Sequence, residues 1–429
     1  MRRTVLLTLG MLPLALGMRL AFPPDTAEAS SSKIIYSFAG GADGAYPESD
    51  LTLDAAGNLF GTTNQGGAVG GGTVFELTRT KDGWTHQVLY SFAVGPNDGA
   101  GPTAGLVFDS VGNLYGTTAG GGGSSNCEGG GCGTVFKLAR NSHGGWTESV
   151  LYSFTGSNGD GASPNTDLVF DSQGNLYGTT AGGGQNRCYS GCGIVFRLTP
   201  NSNGTWTESI IYAFAGAPDG ANPASAVILD NNGNIYGTTA YGGTEPCEKG
   251  GHFSGCGSLY ELTPNSGGGW TETLPYNFHR FQGTARTPSG GLLLTADGQL
   301  LGSSSIGGDR VGALFQLQET KKGWEQTVLY RFYGSPDGES PVGRLVIGPN
   351  GEVYGATANG GSNAIQYNGT VFELEHVNGR WKERVLFNAN SAAYSPQAGP
   401  TVDSQGHLYG TFAGGGQGGN FGAVYEIIP

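Results

Sequence analysis

Short runs rich in Val, Phe, Tyr and Thr, separated by turns containing Gly, Asp and Asn, recur along almost the whole chain and read as β-strands. One full set comprises Leu106 to Asp109, Asn113 to Thr118, Thr134 to Leu138 and Trp146 to Phe154, termed here strands a, b, c and d. A Gly-Thr-Thr triplet or a near variant marks strand b at Gly61, Gly116, Gly178, Gly237, Gly302, Gly355 and Gly410, at intervals of 53 to 65 residues. The chain therefore holds seven copies of one small sheet, and the variation in length falls in Gly-rich segments that read as loops.

The turns fit this unit. Asp-x-x-Gly-Asn joins a to b at Asp54, Asp109, Asp171 and Asp230, a tight hairpin in which Gly takes the left-handed position. All six Trp (Trp84, Trp146, Trp206, Trp270, Trp324 and Trp381) stand at the start of strand d. One large side chain at one place per sheet predicts packing between neighbouring sheets. Seven four-stranded antiparallel units predict an all-β, seven-bladed β-propeller. The chain order supports a closed ring: Lys33 to Phe38 matches strand d, whereas Ala423 to Ile427 matches strand c. Pairing the N-terminal strand with the last blade completes that blade and removes the open edges a linear stack would leave.

Residues 1–29 have the pattern of a signal peptide: Arg2 and Arg3, an apolar stretch from Thr4 to Leu20, and Ala27-Glu28-Ala29 as the cleavage site. An uncleaved anchor is the alternative, but Pro13 and Arg19 interrupt the apolar stretch. The propeller is expected to span residues 30–429, with no membrane span in the mature chain, in a secreted or periplasmic location. The 81 Gly and the 13% of charged residues fit a turn-rich folded domain. A net charge of -13 without a basic stripe argues against nucleic acid as a partner. A monomer is expected.

The phrases LVFDSVGNLYGTTAGGG, GTVFKL and GWTESVLYSF resemble the GloVer tandem repeat of exported bacterial proteins known as choice-of-anchor tandem repeat GloVer-containing proteins. The resemblance spans nearly all of residues 33 to 428 and is looser at Gly302-Ser303-Ser304, Gly355-Ala356-Thr357 and Gly410-Thr411-Phe412. It implies export, often with a C-terminal anchor that this sequence does not display, and it supplies no catalytic residues.

Six Cys fall in three close pairs, Cys127 with Cys132, Cys188 with Cys192, and Cys247 with Cys256, each within a b-to-c loop. Local pairing in an oxidising compartment predicts three disulfides. Zinc would need four ligands per loop, and His252 alone is at hand. The d-to-a connections carry Asp-Gly-x-x-Pro at Asp43, Asp98, Asp160, Asp219 and Asp337, read first as turn residues. Calcium at these turns would need carbonyl ligands besides the single carboxylate. In this strand order the d-to-a and b-to-c loops share one face, the expected binding surface.

The fifth copy breaks the symmetry most. It replaces Asp-Gly with His279, Arg280 and Arg286, and adds Asp309 and Arg310. Paired Arg could clamp a carboxylate or sulfate, with His279 exchanging protons near neutrality. Ordinary drift in a solvated loop is the plainer account. The six His form no catalytic motif, and no nucleophile elbow, phosphate loop or cofactor motif is present; no cofactor or metal is expected. The leading expectation is a secreted propeller that binds an extracellular glycan or surface protein. A polysaccharide-active hydrolase or lyase and a structural envelope component are the alternatives.

Overall fold

The computed structural model describes residues 31–429 apart from 128–129, 224, 246, 248–254, 282, 308–310, 363–367 and 417. Asp309, Arg310, His252 and residues 1–30, with the expected signal peptide, therefore lie outside the described residues. The rest forms seven antiparallel sheets of four strands in a ring. Blade two is representative, with Val107–Phe108 innermost, then Leu114–Thr118, Thr134–Arg140 and Trp146–Ser153 at the rim. Blade seven takes its rim strand from the other end of the chain. Ser31–Ser37 runs antiparallel to Ala423–Ile428, from Ser31 opposite Ile428 to Ser37 opposite Ala423. The ring closes as the sequence predicts. Across this seam the buried Glu426 meets Lys33 at 2.6 Å and Arg79 of blade one at 3.7 Å.

The innermost strand is interrupted. In blade three Gly161–Ala162 pairs with Gly182–Gly183, the chain then leaves the ladder, and Val169–Phe170 rejoins it against Tyr177 and Leu176. The released residues between these two pieces reach the ring axis. The d-to-a and b-to-c loops meet at the first piece, which places both on one face.

The cores lie between blades. Strand c carries Phe75, Phe136, Phe196, Tyr260, Phe315, Phe372 or Tyr425, each fully buried. In six of the seven interfaces the aromatic residue after strand d of the preceding blade meets this ring edge-on. Phe38 meets Phe75 and Phe154 meets Phe196 in this way, both at 5.1 Å between centroids. The Gly of the Gly-Thr-Thr triplet lies against the same ring. A Cβ there would stand 2.6–2.7 Å from the ring at Gly61, Gly116, Gly178 and Gly302. The triplet thus begins with Gly because an aromatic ring occupies the space of its side chain. The Trp residues pack as expected, Trp84 on Tyr409, Trp206 on Tyr115 and Trp324 on Tyr236 of the preceding blade, with centroids 5.8–6.3 Å apart.

One backbone hydrogen bond joins each blade to the next. The residue before the Pro of each d-to-a connection donates its N–H to the residue that precedes strand c's leading Gly in the blade before. Ser163 donates to Cys132, Asn222 to Cys192, Thr287 to Cys256, Ser340 to Val311, Ser395 to Asn368, Tyr46 to Phe421 and Gly101 to Gly71, all at 2.7–2.9 Å. The donor residues hold φ of 52° to 64°, a left-handed conformation that side chains other than Gly resist. Seven such residues in one ring point to a shared constraint, which the hydrogen bond and the following Pro together impose.

Candidate functional site

The residues released from strand a of all seven blades line a cavity of about 390 Å³ on the ring axis. At the position just before the inner hydrophobic residue, the seven blades carry Asp50, Gly105, Asp167, Ala226, Gly291, Arg344 and Gly399. Four are Gly or Ala, so the three charged residues stand out against a small background. Asp50 Oδ1 accepts the Gly399 N–H at 2.7 Å, and Asp167 Oδ1 accepts the Gly105 N–H at 2.6 Å. Each carboxylate thus reaches to the preceding blade; Gly105 makes room for Asp167, while the space beside Gly399 is taken by the Arg344 backbone. Arg344 Nε stands 3.1 Å from Asp50 Oδ2. The Asp50 side chain is 9% exposed and that of Arg344 45%, so the carboxyl is sheltered while the guanidinium reaches into the channel.

Burial, and next the Asp167 carboxylate, push the Asp50 carboxyl up to about 7, against the pull of Arg344 and the Gly399 N–H. Nearer the loop face Glu48, Asn165 and Gln397 add polar groups to the wall. Glu48 Oε2 accepts from Asn64 Nδ2 at 2.9 Å, and burial raises its carboxyl. The cavity thus offers fixed acceptors, a guanidinium and side-chain amides within one small space, the mix that reads a ligand rich in hydroxyl groups.

The loop face around the channel is built from the residues singled out in the sequence. All three disulfides form, with Cα separations of 5.2, 5.1 and 4.9 Å. Cys132, Cys192 and Cys256 are also the residues whose carbonyls accept the blade-to-blade hydrogen bond, so each disulfide steadies a latch. The Asp of Asp-Gly clamps its corner. Asp160 accepts from Tyr152 Oη, Thr155 N, Thr155 Oγ1 and Gly161 N, and Asp98, Asp219 and Asp337 repeat the Tyr and backbone contacts.

A second carboxyl faces four of these clamps from strand d of the following blade. Burial, then the neighbouring Asp, push Glu148, Glu208, Glu272 and Glu383 up to about 7. In each, Oε1 is buried without a hydrogen-bond partner. His86 takes this place opposite Asp43, at 3.2 Å. Gln326 takes it in blade five, where the Asp is missing.

Of the sequence-predicted candidates, His279 and Arg280 lie in the corner between blades four and five and Arg286 on the inner strand Ala285–Pro288 that follows it, and none of the three lines the channel cavity. Arg280 Nη1 donates to Cys247 O at 3.3 Å, and the His279 ring lies 4.6 Å from that of Phe281. The channel group Asp50, Asp167 and Arg344 escaped the sequence reading. Its signal is present but faint: three charged residues at one position of the repeat where the other copies are small.

Fold and site together define a closed seven-bladed propeller with a charged, asymmetric channel inside a symmetric frame. The chain belongs to the Gloeobacter/Verrucomicrobia repeat family, whose profile matches residues 22–249 and 246–429. No curated protein matches it. Among solved structures it is similar to a putative oxidoreductase (glucose dehydrogenase) of Thermus thermophilus, at 14% identity over 93% of this chain and 100% of that one, TM-score 0.43. It is also similar to the periplasmic gluconolactonase of Pseudomonas aeruginosa, at 18% identity over 80% and 85% of the two chains, TM-score 0.48. A protein of unknown function from Dyadobacter fermentans matches at 12% identity over 61% and 93%, TM-score 0.34. At these distances none of the three bears on what this chain binds. The three disulfides fit an extracellular or periplasmic protein, and no helix of the described residues is long and apolar enough to cross a membrane.

Proposed function

We propose that this chain is an exported binding propeller that holds a polyhydroxylated ligand, the end or a short stretch of a glycan, in the loop-face mouth of its central channel. The observation that carries the reading is the set Asp50, Asp167 and Arg344, placed at a position that is Gly or Ala in the other four blades. Carboxylates held by backbone N–H groups accept hydrogen bonds from vicinal hydroxyls, and Arg344 donates to ring or hydroxyl oxygens. The signal-peptide pattern of residues 1–29 and the disulfides support action outside the cytoplasm.

The test is a thermal-unfolding screen of the purified protein against neutral oligosaccharides. A ligand at roughly a hundred times its Kd adds about 2.7 kcal/mol of apparent stability, and Asp167→Asn and Arg344→Ala each abolish the gain without lowering the unliganded midpoint by a comparable amount. A flat response by the native protein across the panel overturns the reading.

The Asp50 carboxyl, pushed up to about 7 beside Asp167, favours a second reading, acid–base chemistry on the same ligand. In that case product accumulates with the native protein, and Asp50→Asn retains binding but loses turnover.

A further inference from the structure

We propose that the loop face of blade five is a second, separate binding surface, built for a polyanionic glycan bearing carboxylate or sulfate groups. The repeat supplies the control. Five d-to-a corners hold an Asp clamp, and each clamp is faced from the next blade's strand d by Glu148, Glu208, Glu272, Glu383 or His86. Two corners lack both acids: between blades six and seven the positions are Ala392 and Ser32, small and neutral, whereas between blades four and five the replacement brings basic residues. The corner reads His279-Arg280-Phe281, and the facing residue is Gln326. Its side-chain amide accepts from Ala285 N at 3.1 Å and donates to Ala285 O at 3.2 Å. A neutral amide thus does the structural task of the missing acid pair.

Positive charge gathers where that acid is gone. Arg331 ends strand d, a position occupied by Ser37, Ser91, Ser153, Ala213, Asn277 and Asn388 in the other blades. Its Nη2 donates to Gly283 O at 3.0 Å, which ties blade five's rim to the altered corner. Arg286 stands on the inner strand Ala285–Pro288, opposite Ile306. Arg280 uses one nitrogen on Cys247 O and is otherwise exposed. Phe281 follows Arg280 directly and Tyr333 stands two residues beyond Arg331, at 69% and 65% exposure. Two open aromatic faces beside three guanidinium groups suit a sugar polymer, whose C–H faces stack on rings while its anions pair with Arg. At the adjoining corner the Asp337 carboxylate is already engaged by Tyr330, Tyr333 and Gly338, and Glu339 stands beside Gly334. The patch is the more telling because the whole chain carries a net charge of -13: general electrostatics would repel a polyanion.

The experiment passes the purified full chain over immobilised polygalacturonate, dextran sulfate and neutral dextran at low salt. Retention on one or both polyanions, released by NaCl and absent on dextran, is expected. Which matrix retains the protein tells carboxylate from sulfate recognition. Arg280→Ala/Arg286→Ala weakens retention about tenfold with an unchanged thermal midpoint. The channel variant Asp167→Asn/Arg344→Ala retains it, so failure here and failure of the channel reading are told apart. Passage of the native protein through both polyanion columns, retention on poly-glutamate but on neither polysaccharide, or unaltered retention of the double Arg variant overturns the proposal.

Discussion

Gly178 shows how a single missing side chain shapes the repeat. Its φ is unremarkable, and the constraint is purely spatial: a Cβ would stand 2.6 Å from Phe196 Cζ. Gly178→Ala is expected to cost about 1–3 kcal/mol through overpacking, measured by urea denaturation. The companion change Phe196→Leu, which shortens the ring that blocks the Cβ, recovers part of the loss when combined with it. A pair of independent, additive effects would show that the contact is not the cause. The Asp residues of the d-to-a corners illustrate a different lesson. Asp-Gly reads as a turn from sequence, and so it is, but the same carboxylate also fastens the Tyr of strand d, a contact invisible until the strand and its corner are folded against each other.

At the scale of strands and loops, the disulfides act on more than the loops they close. Their bridged segments are short, with sequence separations of 4 to 9 residues, so chain entropy gives each only about 2 kcal/mol. Their position matters more, because Cys132, Cys192 and Cys256 present the carbonyls that the next blade's left-handed residue must reach. Reduction is therefore expected to speed amide hydrogen exchange at Ser163, Asn222 and Thr287, and to leave Gly101 and Ser340, whose acceptors lie in disulfide-free loops, little changed. Uniform acceleration at all five, or at none, would count against this coupling. The strands, the pairing of cysteines and the shared face of the long loops were all legible in the sequence, since each copy of the repeat aligns the next. The channel was not. Asp50, Asp167 and Arg344 are far apart along the chain; the two Asp sit in the gap between the two pieces of strand a, and Arg344 in the register shift between Val342 and Val346 of Gly338–Ile347. Only closure of the ring brings them to one axis. Comparing the seven copies column by column, as the Gly105, Ala226, Gly291 and Gly399 background invites, is the reading that finds them.

For the molecule as a whole, the facing carboxyls set the response to pH. Glu148, Glu208, Glu272 and Glu383 are pushed from an ordinary 4.5 up to about 7 in the folded state. Between these values the native protein binds protons that the unfolded chain has released. Their stabilisation is complete below about 4.5 and is lost as pH rises through about 7. Asp50 in the channel acts in the same direction. His86, which burial holds below its usual range despite Asp43, runs the other way and loses its contribution as pH falls. The four Glu outnumber it, so the thermal midpoint is expected to decline between about pH 5 and 7. Replacing all four Glu by Gln flattens the decline and raises the midpoint near pH 8 by about 1–3 °C. A native profile that rises over this interval, or a variant that keeps the native slope, would rule out the acid pairs as its source.

The seam between Ser31–Ser37 and Ala423–Ile428 has a mechanical consequence. Ser31 and Ile428 face each other at the same end of an antiparallel pair. Tension applied between those two residues loads the ladder one hydrogen bond at a time, as in opening a zipper, and does not shear all the bonds together. A tether attached near either end would therefore pull the ring open at its weakest geometry, whereas a load entering through the rim of any other blade must deform an intact sheet first.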